Sequence, residues 1–298
     1  MFRRRRALRP LTFTARRRST GRRGQAANDS FRIRAHSRGI HRMKTKKRTL
    51  HGARFVVTGA AGGLGRALCA ELGRRGARII GFDADQEALK AASAALQQEG
   101  IDHHLQLLDI TDAKAVRQAL QGLDVQPIDG LILNAGITRI LPFREMPFDQ
   151  FVKVFEVNVF GAVIFAKELI EPLRSTKGVI VGISSVSGFA PLMNRTAYSA
   201  SKHALAGFLE TLRSEEPDLN VLVVYPSFLQ TGIRSRAVND TAAHHKAGEL
   251  SANAAAARIV DAIIDRRRRL YMPLQARLAR LVWNSFPDLY IKLMKKRA

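Results

Sequence analysis

From Ala53 onward, short apolar runs alternate with longer segments whose apolar residues recur at helical spacing. The short runs are mostly apolar on both faces, which is typical of buried parallel strands. They read RFVVTG, ARIIGFD, HHLQLLD, DGLILNAG, GVIVGISS and NVLVVYP. The longer segments include RALCAELGRRG, QEALKAASAALQQEG and FVKVFEVNVFGAVIFAKELI. The alternation predicts an α/β fold with a doubly wound parallel sheet of six strands, covered by helices on both faces in three α/β/α layers, as a single domain.

Composition divides the chain into three parts. Residues 1–48 hold 18 of the 49 Lys and Arg but a single acid, Asp29, and so carry +17 of the formal net charge of +24. An Arg-rich stretch with few large aliphatic residues predicts a disordered basic tail. The strand and helix pattern occupies residues 49–273, and residues 274–298 form a C-terminal amphipathic helical extension.

The basic tail has three interpretations. Met43 stands shortly before the first predicted strand, so we expect residues 1–42 to be an upstream extension of the open reading frame. The alternatives are an organelle-targeting peptide, since such segments are Arg-rich and acid-poor, and an electrostatic arm for nucleic acid or phospholipid. Because the tail lacks interleaved aromatic residues and base-reading modules, no specific nucleic-acid partner is predicted.

Several classes of protein are disfavoured by what the sequence lacks. A secretory signal requires a continuous apolar stretch after the N-terminal charges, and the sequence has none there. The most apolar later segment, 157–170, is interrupted by polar residues and is therefore not a predicted transmembrane helix.

The one cysteine, Cys69, excludes an internal disulfide and is expected to be a small buried hydrophobic residue. His244 and His245 have no carboxylate or cysteine at suitable spacing, so no metal site is predicted. We expect a cytoplasmic protein.

The loop after the first predicted strand, TGAAGGLG at 58–65, is rich in glycine and opens a predicted helix. Glycine lets the backbone turn sharply and approach a pyrophosphate, whose charge is favoured by the free N–H groups of a helix start. The second strand ends at Asp83, where a carboxylate accepts hydrogen bonds from ribose hydroxyls and repels a 2′-phosphate. No Lys or Arg stands at 60–62 or 84. The pattern predicts a dinucleotide site that favours NAD over NADP. Asp83 is also a candidate N-cap of the next helix, and the two roles are compatible.

Further polar residues follow the later strands. With the first loop, the set comprises Thr58-Gly59 with Gly63 and Gly65, Asp109-Ile110, Asn134-Ala135-Gly136, Asn158, Ser184-Ser185, Tyr198 and Lys202 within YSASK, and Tyr225-Pro226 with Thr231. In this order and spacing, over residues 50–272, the sequence resembles the short-chain dehydrogenase/reductase family, whose fold is the Rossmann fold. Two residues depart from the family pattern: Leu133 stands where the family has Asn, and Ser227 where it has Gly. Leu133 removes no catalytic group, and Ser227 restricts a loop that Gly would leave freer.

The resemblance implies a catalytic centre of Asn158, Ser185, Tyr198 and Lys202, with Ser184 a weaker candidate for the serine. It implies a nicotinamide cofactor held by Gly59, Gly63, Leu64, Gly65, Asp83, Asp109, Ile110, Asn134, Ala135, Gly136, Tyr198, Lys202, Pro226 and Thr231. A phenol has an unperturbed pKa of about 10, so a cation must favour its phenolate at neutral pH. Lys202, four residues after Tyr198 on the same helix face, is expected to supply that cation.

The activity implied is hydride transfer between NAD and an alcohol or ketone, in a homo-oligomer, either a dimer or a tetramer. The alternative is a dinucleotide-binding redox sensor or scaffold without turnover. Such proteins typically have lost the tyrosine or the lysine, and this chain has both.

Three segments are expected around the substrate: 137–144, 189–195 and a predicted lid, 227–250. Their large apolar residues are Ile137, Ile140, Leu141, Phe189, Leu192, Met193, Phe228 and Leu229. This lining predicts a lipophilic alcohol or ketone, while Arg139 and Arg195 leave an anionic group on the substrate open.

The C-terminal extension contains a second amphipathic pattern. Leu274, Leu278, Leu281 and Val282 recur at helical spacing among arginines, and Pro287 separates a second short helix. We expect the apolar face to pack on its own domain or a partner subunit. The alternative is a helix lying on an anionic membrane surface, which its basic, Trp-containing composition permits.

Overall fold

The structure is a computed structural model that describes residues 48–122, 127–227 and 250–295, with the backbone of residues 229 and 230. Nearly all of the predicted basic tail, and Phe228, Thr231, His244 and His245 of the predicted lid, lie outside the described residues. The strands are β1 (Arg54–Thr58), β2 (Arg78–Asp83), β3 (His103–Leu107), β4 (Gly130–Leu133), β5 (Val179–Ile183), β6 (Asn220–Pro226), β7 (Leu229–Gln230), β8 (Leu250–Ser251) and β9 (Arg269–Met272). The helices are α1 (Gly63–Arg74), α2 (Gln86–Gln98), α3 (Ala113–Gln121), α4 (Phe148–Phe155), α5 (Gly161–Ser175), α6 (Thr196–Glu215), α7 (Ala252–Ile264), α8 (Leu274–Ser285) and α9 (Pro287–Lys295).

Seven of these strands form one parallel sheet in the order β3-β2-β1-β4-β5-β6-β9. The central strands β4, β5 and β6 are buried along their whole length, which explains why their sequences are apolar at consecutive positions. The predicted doubly wound α/β fold is therefore confirmed, and β1 to β6 are the six predicted strands.

The seventh strand of the sheet, β9, is missing from the prediction. It has four residues and follows a run of arginines, and its first residue, Arg269, is exposed. Pairing with β6, in register Val223 with Arg269, is what makes this segment a strand. A strand this short has too little pattern of its own to be recognised from sequence.

Helices cover both faces of the sheet, and adjacent residues of β1 point to opposite layers. Phe55 and Val57 pack in the core formed with α1 and α7, whereas Val56 packs in the core formed with α3, α5 and α6. Cys69 of α1 is fully buried, as expected, and burial raises the pKa of its thiol to about 12.

The long helix predicted around Asn158 is interrupted. Residues Glu156–Phe160 form one π-helical turn between α4 and α5, with Asn158 buried inside it. Single π-turns widen a helix locally and are frequent at functional sites.

The chain order places a crevice between β1 and β4. From β1 the chain runs outward through β2 to β3, then returns to β4 on the other side of β1 and continues to β9. In open parallel sheets, ligands bind at this reversal, beyond the carboxyl ends of the strands. The candidate site is therefore expected in the loops that follow β1 and β4.

The helices α8 and α9 pack beside the same end of the sheet. Ala276 and Tyr290 are buried in a small core with Val186 and Ala190, which belong to the loop after β5. Among the helices that the structure describes, none has the length and apolarity needed to cross a membrane.

Candidate active site

The loop between β1 and α1 turns tightly, and two of its glycines are required by close backbone contacts. Gly59 has φ of +66°, and a Cβ atom on it would lie 2.8 Å from the Cα of Ala135. A Cβ atom on Gly65 would lie 1.9 Å from the carbonyl oxygen of Gly59. Gly62 is the N-cap of α1, and no side chain of the described chain caps this helix start. The loop thus presents backbone N–H groups in the arrangement that binds anions.

Asp83, at the end of β2, supports this loop. Its Oδ2 accepts a hydrogen bond from the N–H of Ala61 at 3.0 Å, and its Oδ1 accepts one from the N–H of Asp85 at 3.2 Å. The N-cap of α2 is Asp85, which accepts from the N–H of Ala88 at 2.9 Å. The suggestion that Asp83 caps this helix is therefore wrong, and its carboxylate instead borders the crevice beside the glycine-rich loop.

Asn134 ties the end of β4 to the glycine-rich loop. Its Nδ2 donates to the carbonyl oxygens of Thr58 and Gly59, each at 3.0 Å, and its backbone N–H donates to Thr58 Oγ1 at 3.1 Å. The preceding Leu133 is the buried last residue of β4. Its departure from the family pattern therefore leaves the Asn134 contacts intact.

Asp109 and Ile110 follow β3. The Asp109 carboxylate accepts from the backbone N–H of Thr111 at 2.9 Å and from its hydroxyl at 2.8 Å. Partial burial raises the pKa of Asp109, but these hydrogen bonds and the charge of Lys153 outweigh it and hold the pKa below its ordinary value. Ile110 packs against Gly161, where a Cβ atom would lie 2.6 Å from Ile110 Cδ1.

Asn158 is fixed by hydrogen bonds on both ends of its amide. Its Oδ1 accepts from the N–H of Ile137 at 2.8 Å, and its Nδ2 donates to the Ile137 carbonyl at 3.0 Å and to Ser201 Oγ at 2.9 Å. A Cβ atom on Gly136 would lie 3.3 Å from both Asn158 Oδ1 and Lys202 Nζ. The backbone of Gly136 is therefore a point where Asn158 and Lys202 converge.

Tyr198 and Lys202 lie one turn apart on α6, with the Lys202 Nζ 5.7 Å from the centre of the Tyr198 ring. Ser185 lies close enough to Tyr198 for its hydroxyl to lower the pKa of the phenol. Lys202 Nζ donates to the carbonyl oxygen of Ile183 at 2.8 Å. The end of β5 and the start of α6 thus bring Ser185, Tyr198 and Lys202 together.

Burial perturbs both ionisable groups of this trio. It raises the pKa of Tyr198, while the hydrogen bond with Ser185 and the charge of Arg195 oppose that rise. Burial also lowers the pKa of Lys202 to about 8. Arg195 is thus a second cation that acts on Tyr198, and the role of Lys202 in favouring the phenolate stays a prediction.

The two adjacent serines have different surroundings. Ser184 Oγ donates to the carbonyl oxygen of Lys202 at 3.1 Å. A Cβ atom on Gly188 would lie 2.1 Å from Ser184 Oγ. Ser185 Oγ accepts from the N–H of Ser187 at 3.1 Å, and its hydroxyl lowers the pKa of Tyr198. Both serines border the crevice, and Ser184 also joins the loop to α6.

A cavity of about 610 Å³ occupies the carboxyl end of the sheet, a volume suited to a ligand of cofactor or drug size. The predicted site residues that line it are Gly59, Gly63, Leu64, Gly65, Asp83, Asp109, Ile110, Asn134, Ala135, Gly136, Ser185, Tyr198, Lys202 and Pro226. Asn158 lies buried behind this lining, and Thr231 is outside the described residues. Of the apolar residues expected around the substrate, Ile137 and Leu192 line the cavity, whereas Phe189 packs against the rings of Tyr225 and Tyr271.

The cavity has further lining residues that the sequence analysis missed. They include Lys153, Val157, Gln275, Ala279, Tyr290 and Met294. Lys153 and Val157 are four residues apart in the helical segment that leads to Asn158, a spacing that could have identified them. The residues from α8 and α9 carried no such signal, because only tertiary packing brings these helices to the cavity.

The comparison with protein-family models identifies the chain's family. The short chain dehydrogenase model matches residues 54–242. The chain is 32% identical over 279 residues to a mouse protein named dehydrogenase/reductase SDR family member 7B, covering 87% of this chain and 85% of that protein. An Anopheles gambiae protein named dehydrogenase/reductase SDR family protein 7-like is 30% identical over 268 residues, covering 84% of each chain. The chain belongs to the short-chain dehydrogenase/reductase family and is an NAD(P)-dependent oxidoreductase acting on CH–OH groups.

Solved structures support the same fold. A short-chain dehydrogenase/reductase from Burkholderia phymatum in complex with NAD superposes with a TM-score of 0.73 at 22% identity, covering 81% of this chain and 96% of that one. A short-chain dehydrogenase from Burkholderia cenocepacia in complex with NADP gives a TM-score of 0.69 at 25% identity, covering 83% and 99%. The cofactor of the family is thus a nicotinamide dinucleotide, and the two structures hold different forms of it.

Proposed function

We propose that this chain transfers hydride between NAD and a lipophilic alcohol or ketone, with Asn158, Ser185, Tyr198 and Lys202 as its catalytic centre. The observation that carries the proposal is that the hydroxyls of Ser185 and Tyr198 and the Lys202 side chain line the same 610 Å³ cavity. A hydroxyl pair of this kind holds one oxygen of a substrate between two hydrogen-bonding groups. The remaining features support the cofactor, the proton transfer and the substrate class in turn.

The residues around the crevice fit a nicotinamide dinucleotide. The uncapped start of α1 and the tight turn at Gly59 suit a pyrophosphate, and Asp83 stands where a ribose would lie. The bound cofactor supplies the hydride acceptor or donor. Lys202 reaches the same end of the cavity and is proposed to bind the second ribose.

Tyr198 is proposed to move the proton. In alcohol oxidation its phenolate takes the hydroxyl proton of the substrate, and in the reverse direction its hydroxyl protonates the oxygen of the carbonyl being reduced. Ser185 holds that oxygen by a hydrogen bond. Asn158 is proposed to position the backbone of Ile137 by its two hydrogen bonds. It would thereby also fix the preceding Gly136, whose backbone lies beside Lys202 Nζ.

The substrate class is inferred from the lining of the cavity. Apolar groups in it come from Ile137, Val157, Leu192, Ala279 and Met294. These surfaces favour a lipophilic alcohol or ketone, because apolar area buried on binding is stabilising. Arg139 and Arg195 also line the cavity and would accommodate an anionic group at one end of such a molecule.

A tyrosine replacement tests the catalytic proposal. We expect Tyr198→Phe to abolish turnover of a panel of secondary alcohols while leaving NAD affinity within about twofold, because only the proton carrier is removed. Tyr271→Phe is the matched control, since the Tyr271 hydroxyl is buried without a hydrogen-bond partner among the described residues. Substantial activity in Tyr198→Phe would refute the assigned role, and a wild-type chain that binds NAD but oxidises no alcohol would favour a redox sensor.

The preference for NAD is tested at Asp83. Its carboxylate would repel a 2′-phosphate, so we expect Asp83→Asn to narrow the ratio of kcat/KM for NAD over NADP by about tenfold, or roughly 1.4 kcal/mol. Asn retains one acceptor for the N–H of Ala61, which limits damage to the loop. A wild-type enzyme that already prefers NADP would refute this part of the proposal.

A further inference from the structure

The helices α8 and α9 expose a row of large apolar side chains, which we call the outer face. Its members are Leu274, Leu278, Leu281, Phe286, Leu289 and Leu293, each between 47% and 66% exposed. On α8, the three leucines are spaced i, i+4 and i+7, and on α9 the two are spaced i, i+4, so each set forms a stripe along its helix. Exposed apolar side chains in such continuous stripes are unusual on a monomeric protein surface and indicate an interaction site.

The outer face cannot be buried by turning the helices inward, because their opposite sides are already packed. Ala276 is fully buried and Tyr290 nearly so, and the rings of Trp283 and Tyr290 meet edge to face at 5.6 Å. Arg280 lies 4.9 Å from the ring of Tyr271 on β9. The inner sides of both helices are therefore anchored on the domain, and the leucine stripes point away from it.

Cations accompany the exposed leucines. The segment 274–295 contains Arg277, Arg280, Lys292 and Lys295 but one acid, Asp288, which gives a formal charge of +3. Arg277 precedes Leu278, and Lys292 precedes Leu293, so each stripe has an exposed cation at its side. Apolar stripes bordered by Lys and Arg are the pattern of helices that lie in the interface of a membrane.

We propose that the outer face of α8 and α9 binds the surface of an anionic phospholipid bilayer, with the leucines among the acyl chains and the flanking cations at the headgroups. A second copy of the chain is the less favourable occupant. A twofold interface would place this +3 surface against an identical one, and like charges at such an interface repel. Anionic headgroups complement both the apolar and the charged parts of the surface.

The same two helices connect the outer face with the cavity. Their opposite side supplies Gln275, Ala279, Tyr290 and Met294 to the cavity lining. If the proposed function holds, a lipophilic substrate dissolved in the bilayer would reach the site along these helices. Lipid binding itself is measured without substrate or turnover, so its outcome is independent of the proposed function.

Vesicle flotation of the full chain tests the proposal. We expect co-flotation with phosphatidylcholine vesicles that contain 30 mol% phosphatidylserine and little with phosphatidylcholine alone, at roughly physiological ionic strength. The double variant Leu278→Asn, Leu281→Asn should weaken partitioning at least tenfold. The matched control, Leu107→Asn with Phe143→Asn, replaces two exposed apolar residues elsewhere and should bind as the wild type does.

Two further measurements distinguish lipid binding by the outer face from lipid binding by the basic tail and from self-association. Residues 1–48 carry +17 and are present in every variant, so binding that survives the leucine replacements would assign lipid binding to them and overturn the proposal. Trp283 is the chain's single tryptophan and lies on the inner side, so Trp283→Phe combined with Leu281→Trp moves the probe to the outer face, where we expect brominated acyl chains to quench it. An unquenched probe in that variant would also overturn the proposal, as would leucine variants that lose self-association by sedimentation but keep their vesicle binding.

Discussion

Replacing Lys202 by Met should change how the stability of the protein depends on pH. Lys202 is buried, and burial lowers its pKa from 10.5 to about 8. Below pH 8 both the folded and the unfolded chain hold the proton, so its contribution to stability is constant there. Between pH 8 and 10.5 the unfolded chain holds a proton that the folded chain has released, so the free energy of unfolding rises with pH. The variant lacks this rise.

The size of this change in stability follows from the difference between the folded and unfolded pKa values of Lys202. At 1.36 kcal/mol per pKa unit, a shift from 10.5 to about 8 corresponds to roughly 3 kcal/mol over the whole window, and to about 2.5 kcal/mol between pH 7 and pH 10. The raised pKa of Tyr198 affects both proteins alike and cancels in the comparison. We therefore expect the stability of Lys202→Met relative to wild type to fall by about 2.5 kcal/mol from pH 7 to pH 10.

Urea unfolding at pH 7, 8, 9 and 10 measures this difference. Lys167→Met is the control, because it makes the same replacement at an exposed position of α5. Lys202→Met should also lose turnover, whatever its stability. A difference between wild type and Lys202→Met that stays flat over this range would refute the reasoning, because it would mean that Lys202 keeps its proton in the folded chain.

The remaining predictions concern the loop and the cation beside Tyr198. Gly65→Ala should destabilise the fold by about 1–3 kcal/mol and weaken NAD binding, because its Cβ would lie 1.9 Å from the carbonyl of Gly59. Gly207→Ala is the control: nothing lies within 4 Å of the added Cβ, so it should stabilise the fold by about 0.5–1 kcal/mol. Equal changes in urea unfolding for the two variants would contradict the close contact between Gly65 and Gly59. Arg195→Gln should raise the pKa of Tyr198 and move the acid limb of the pH profile of kcat/KM for alcohol oxidation to higher pH, with Arg195→Lys shifting it less. An unmoved limb would show that Arg195 does not act on Tyr198.

The cavity-lining elements that carry a local pattern could be recognised from the sequence. Buried parallel strands are apolar at consecutive positions, so β1 to β6 stand out without tertiary information. The glycines at 59 and 65 are likewise local, because a tight turn into a helix excludes side chains. The spacing of Tyr198 and Lys202 places both on one helix face wherever that helix lies.

The C-terminal helices show where such patterns stop being sufficient. The sequence predicted that the face with Leu274, Leu278, Leu281 and Val282 would pack on its own domain or a partner subunit, and on the domain itself only Val282 packs. The buried side instead contains Ala276 and Trp283. Helical periodicity identifies an apolar stripe but does not say which of two adjoining faces meets the core, because that depends on how closely the helix approaches its neighbour.

The sequence by itself determined the doubly wound fold, the glycine-rich loop and the set of polar residues around the crevice, since each rests on spacing within a single element or its adjoining turn. Only the tertiary structure decided that β9 completes the sheet and that α8 and α9 line the cavity. A four-residue strand exists only through its pairing with β6. Contacts between residues distant in the chain are not recorded in any local pattern.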